Sequence, residues 1–166
     1  MQRGRILQIN TSLGGVPKHP VAECMVTPLG IAGDQCAHPH IHGGPRQAIL
    51  LIAREAVDEL AASGYPVTYG SLGENFTVDG LSYRHWRAGQ RYRAGSEVVI
   101  ELTKPRGPCR TLDLYGERLK QEIYDQKVKE GDASSAYWGM SGFYACVIQG
   151  GRVAAGAPLV LVDQAV

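Results

Sequence analysis

A chain of 166 residues has the length of one domain, residues 1–166, and is long enough to bury about two thirds of its unfolded surface, so its core needs no disulfide or metal. Seventeen basic against sixteen acidic residues leave a net charge of +1, which excludes the basic face of a nucleic-acid binder. No stretch approaches the roughly 20 apolar residues of a membrane helix, and MQRGRILQINTSL holds no leader-like apolar run, so a cytoplasmic protein outside the membrane is expected.

Residues 3–13 (RGRILQINTSL) predict a first strand, and residues 20–28 (PVAECMVTP) a second with cleaner alternation. LGIAGDQ and HGGP read as turns. QAILLIA (47–53) is a short continuous apolar run, the pattern of a buried strand. Residues 54–64 predict the first helix, with Ala56, Val57, Leu60 and Ala61 on one face and Gly64 as its stop. Residues 71–81 read as turn, short strand and turn, and residues 90–105 as two strands about AlaGlySer. Over 111–130, Leu112, Tyr115, Leu119, Ile123 and Tyr124 recur at three- and four-residue steps, which predicts a second helix. Strands at 142–149 and 158–163, with GlyGlyArg as a turn between them, close the chain. Many short strands with two inserted helices predict a mainly β, barrel-like fold.

Two short stretches concentrate chemistry. CAHPHIHGG (36–44) places His38, His40 and His42 at alternate positions beside Cys36. On a strand, alternate side chains share a face, so three imidazoles there would suit a metal ion. Pro39 opposes a central strand, and a surface loop with scattered histidines is the other reading. None of the four cysteines, Cys24, Cys36, Cys109 and Cys146, forms a CxxC pair of the structural zinc kind, and a cytoplasmic location keeps thiols reduced. Cys24 and Cys146 sit in apolar strands and read as core.

The second stretch is KPRGPCRTLD (104–113). Cys109 follows a strand and precedes a predicted helix, with Lys104, Arg106 and Arg110 around it. Positive side chains and free helix amides favour thiolate over thiol. A thiolate is a nucleophile, a persulfide carrier or a ligand for a soft metal, and the same cations suit a phosphate. A small buried filler behind a proline turn is the alternative for Cys109.

Taken in order, GD (33–34), HGGPRQA (42–48), LGEN (72–75), PRGPC (105–109) and GFYACVIQGGRVAAGAPL (142–159) resemble the MOSC domain, named for the C-terminal part of molybdenum cofactor sulfurases. The resemblance spans about residues 4–163. It implies a MOSC-type β-barrel with peripheral helices and a pocket for the pyranopterin of molybdenum cofactor (molybdopterin). It implies Cys109 as molybdenum ligand, preceded by Arg106 as in the family pattern; the surrounding Arg106, Arg110 and Lys104 would then hold the phosphate. His42, Glu74 and Asn75 occupy its HisGlyGly and GlyGluAsn motifs. Of the three histidines only His42 matches, which makes the cluster largely coincidental. The aminotransferase-like domain of complete sulfurases, the N-terminal β domain of amidoxime-reducing relatives and the C-terminal helical segment of bacterial stand-alone forms are not found in the sequence. The activity implied is oxidoreduction: an N-hydroxylated small molecule is reduced, with electrons from a separate redox protein. The alternative is a carrier that takes sulfur from a donor as a Cys109 persulfide, or ferries cofactor, without turnover of its own.

Overall fold

The computed structural model describes residues 2–36 and 43–164. Eleven strands run through them. They are β1 (Arg3–Thr11), β2 (His19–Val21), β3 (Glu23–Thr27), β4 (Gly30–Ile31), β5 (Ile49–Ala53), β6 (Phe76–Asp79), β7 (Arg91–Ala94), β8 (Val98–Pro105), β9 (Phe143–Gln149), β10 (Gly151–Ala154) and β11 (Pro158–Asp163). Hydrogen bonding runs in the order β11-β7-β8-β9-β5-β6-β1, and β1 pairs again with β11, so these seven strands close into a barrel. The mainly β, barrel expectation is borne out. Closure removes the free edges that an open sheet would expose. β2 extends the sheet at one end of β1, and β10, β3 and β4 make a small second sheet.

One barrel pairing, β5 with β6, is parallel. Parallel neighbours need a long crossover, and here it contains helix α1 (Arg54–Ala62). Its apolar stripe buries Ala56, Val57 and Leu60. Gly64 follows the helix at φ +98° and its amide donates to Ala61 O at 3.1 Å, the stop that the sequence announces.

Inward-facing strand residues fill the barrel. Ile6, Phe76, Val78, Ile100, Ala145 and Leu159 have no exposed surface. Trp86 and Trp138 meet Phe143 edge-on, with ring centroids 6.1 and 5.6 Å away, an arrangement favoured by the aromatic quadrupole.

The predicted helix over 111–130 is three pieces instead: a 3-10 helix (Arg110–Tyr115), α2 (Leu119–Ile123) and α3 (Gln126–Lys129). Gly116 breaks the first from the second at φ +145°, and Tyr124 is extended at φ −157°. Leu112, Leu119, Ile123 and Val128 still reach the core, so short helices satisfy the burial that produced the periodicity. Two other expectations shift. The strand over 20–28 divides into β2 and β3 at Ala22, and the GlyGlyArg turn opens a further strand, β10.

Candidate functional site

Leu50 on β5 and Tyr144 on β9 are partners across that strand pair, and both open onto one cleft outside the barrel. Its other walls come from the segment after β1 (Gly15, Val16, Lys18), the segment around and after β4 (Asp34, Cys36), Gln47, the turn before β6 (Gly73, Asn75), and the connection after β8 (Arg106, Cys109, Thr111). The cavity is about 150 Å³.

β8 ends at Pro105, and the chain enters the cleft wall at once. Arg106 is 4% exposed. Its Nε donates to Ser141 O and an Nη donates to Leu72 O, both at 2.9 Å. The Arg106 amide donates to Gly142 O at 2.8 Å, and Ser141 Oγ donates back to Arg106 O at 2.5 Å. Two backbone carbonyls thus fix the guanidinium, and no carboxylate among the described residues lies within ion-pair distance of it. Burial lowers its pKa, while Tyr144, Glu74 and Cys109 act to raise it. The guanidinium stays charged.

Cys109 caps the 3-10 helix and is half-buried. Its Sγ lies 2.8 Å from Thr111 Oγ1 in a hydrogen bond. Tyr144 is 5% exposed, and burial pushes its phenol up to about 12. Arg106 opposes that rise, and the charges of Cys36 and Cys109 add to it.

Asp34, also in the cleft wall, takes three hydrogen bonds. It accepts from Ser12 N at 2.9 Å, Lys18 Nζ at 2.5 Å and Asn75 Nδ2 at 2.9 Å. Asn75 also accepts from Leu50 N at 3.0 Å through Oδ1, and its amide donates to Leu50 O at 2.9 Å. It therefore ties the GlyGluAsn turn to β5. Glu74 stands behind this wall with no exposed surface. Its Oε1 accepts from the Gly70 amide and from Thr77 Oγ1, and its Oε2 has no hydrogen-bond partner among the described residues. Burial raises its pKa, against the Gly70 amide and Arg106.

Of the residues singled out from sequence, Cys109, Arg106 and Asn75 meet in the cleft. Glu74 supports it from behind. Lys104 and Arg110 are exposed and are not among the residues lining the cleft. His42, with His38 and His40, lies outside the described residues. Among the described residues, no three of His, Cys, Asp and Glu gather around a metal-sized point. Lys18, Gln47, Thr111 and Tyr144 were not foreseen as wall residues. Thr111 comes with Cys109 two residues away, whereas Lys18, Gln47 and Tyr144 are brought in by segments distant in sequence.

No helix of the described residues is long and apolar enough to cross a membrane. The chain is 32% identical over 146 residues to Protein YiiM of Escherichia coli, covering 86% of this chain and 60% of that protein. It thus spans less than two thirds of that curated relative. The crystal structure of YiiM from Geobacillus stearothermophilus superposes with a TM-score of 0.75 at 29% identity, covering 98% of this chain and 77% of that one. A protein of Gibberella moniliformis named "Reductase" shares 28% identity over 88 residues, 51% of this chain and 16% of that protein. The family model of the MOSC domain matches residues 38–160, and with the barrel and these relatives it establishes that the chain belongs to the MOSC domain family.

Proposed function

We propose that the cleft binds the phosphorylated pyranopterin of molybdenum cofactor, with Cys109 as molybdenum ligand, and that the loaded protein reduces N-hydroxylated small molecules. The observation that carries this reading is the sharing of one cleft by the Cys109 sulfur and the buried Arg106 guanidinium. A thiolate is a soft donor suited to a soft metal centre. A cation held by carbonyls, without an ion-pair partner, is prepared for an anion. In donor chemistry, a soft thiolate and a cation match the metal and the phosphate of such a cofactor. Tyr144 and Asn75 add hydrogen-bonding groups on the wall.

When bound, the cofactor would supply the two-electron redox chemistry. The chain's own residues do the rest. Arg106 holds the anionic end and Cys109 fixes the reacting end. Tyr144 keeps its proton far above neutral pH and would offer it as a hydrogen-bond donor to the bound cofactor or substrate. Electrons come from a separate redox protein. The reductase name of the Gibberella moniliformis relative is consistent with this class of chemistry.

Turnover tests the reading. Protein prepared without oxygen from cofactor-producing cells is given an N-hydroxylated base and a reduced viologen dye. The wild-type chain is expected to release the deoxygenated base with oxidation of the dye, and Cys109→Ser to release none. Equal turnover by Cys109→Ser would remove Cys109 from the metal. The half-exposed position of Cys109 also suits a persulfide carrier. Incubation with a cysteine desulfurase and labelled cysteine would then add one sulfur to Cys109.

A further inference from the structure

The four cysteines fall into two kinds. Cys24 is 8% exposed on β3, and burial, with Glu23, holds its thiol up at about 11. Cys146 lies on β9 and does not line the cleft. Cys36 and Cys109 both line the cleft. Cys36 is exposed and Cys109 half-buried. Each belongs to a connection outside the strands, after β4 and after β8, where backbone can adjust in a way that barrel strands cannot. Tyr144 lines the same cleft as both.

We propose that Cys36 and Cys109 are a redox pair that closes as an intramolecular disulfide across the cleft when a hydroperoxide reaches it. Cys36, the exposed sulfur, attacks the peroxide. The O–O bond breaks, one oxygen leaves as water, and Cys36 carries S–OH. The Cys109 sulfur then displaces that oxygen. The S–O bond breaks, the S–S bond forms, and a second water leaves. Two thiols thus give two electrons to one hydrogen peroxide, with two waters as the other product. A dithiol reverses the bond by exchange. Cys36 thereby becomes a modification site in its own right. Closure does not depend on the cofactor reading. Its consequence, that the oxidised chain loses its soft donor, rests on that reading.

The test is peptide mapping of the full cofactor-free chain after hydrogen peroxide treatment and alkylation of the remaining thiols. Trypsin yields peptide 107–110 with Cys109 and peptide 19–46 with Cys24 and Cys36. The proposal predicts these two joined, two hydrogens lighter than their sum, in most of the monomeric protein. The joined species should persist in Cys24→Ser and Cys146→Ser, vanish in Cys36→Ser, and revert with dithiothreitol. Peptide 107–110 found alkylated, overoxidised or joined only between chains would overturn it, as would a joined species that survives in Cys36→Ser. Molybdenum and pterin content of the reduced protein is read separately. A disulfide without cofactor loading sinks the cofactor reading alone, and loading without a disulfide sinks this one alone.

Discussion

Lys18 Nζ lies 2.5 Å from Asp34 Oδ1, and the two side chains are only 10% and 15% exposed. This ion pair joins the segment after β1 to the segment after β4, and Asn75 Nδ2 on the same carboxylate brings in the GlyGluAsn turn. Three segments distant in sequence become one cleft wall through a single carboxylate.

Removing one partner of a largely buried pair strands the other. Asp34→Ala is therefore expected to lower stability by about 3 kcal/mol, as typical for such truncations. Lys18→Met combined with Asp34→Leu should lose clearly less than the sum of the two single changes. Urea unfolding of the four proteins checks this, and strict additivity would show that the pair contributes no coupling.

Arg106 is expected to be needed twice. Arg106→Ala leaves Leu72 O and Ser141 O without their donors and should cost about 3 kcal/mol of stability, given the usual worth of hydrogen bonds from a charged group. Arg106→Lys keeps the charge and loses the fork. The account predicts that it recovers part of the stability while its thermal stabilisation by added phosphate falls well below wild type. Phosphate shifts of equal size in both proteins would separate Arg106 from anion binding.

Glu74 gives a pH prediction. Burial raises its folded pKa above the ordinary value of 4.5, so between these values the folded chain binds more protons than the unfolded one. Stability contributed by this group is fully present below pH 4.5 and falls as pH rises through the folded value. Glu74→Gln removes that dependence and keeps an oxygen for the Gly70 amide. The difference in unfolding free energy, Glu74→Gln minus wild type, should grow with pH above 4.5 and then level off. A flat difference would contradict the raised pKa.

Gly142 has φ +95°, and a β-carbon there would stand 2.6 Å from Leu51 O and 2.7 Å from Ile52 Cγ1. Its carbonyl also receives the Arg106 amide. Gly142→Ala is expected to lose about 3 kcal/mol, through left-handed backbone strain and overpacking against β5 together. A melting temperature within a degree of wild type would show that β5 yields without loss.

Barrel strands were legible wherever alternation was clean, as in β8, or where an apolar run was short and bounded, as in β5. The helix over 111–130 was not, because Leu112, Leu119 and Ile123 recur at helical steps whether or not the backbone between them is helical. What divides it, Gly116 and the extended Tyr124, carries no strong signal of its own. The site divides in the same way. Cys109 and Arg106 stood out because charge, proline and thiol crowd into ten residues. Asp34 and Tyr144 stood only inside longer motifs, GD and GFYACVIQ, with nothing to mark either side chain, and Lys18 stood in none. Their meeting is made by loops and by strand pairing in the closed barrel.

The most direct test of the central claim is molybdenum and pterin content of protein purified without oxygen from cells that make the cofactor, wild type beside Cys109→Ala. The account predicts molybdenum and pterin in near-equal amounts on the wild-type chain and loss of molybdenum from the variant. Wild-type protein without either, or a variant that keeps its molybdenum, would contradict it.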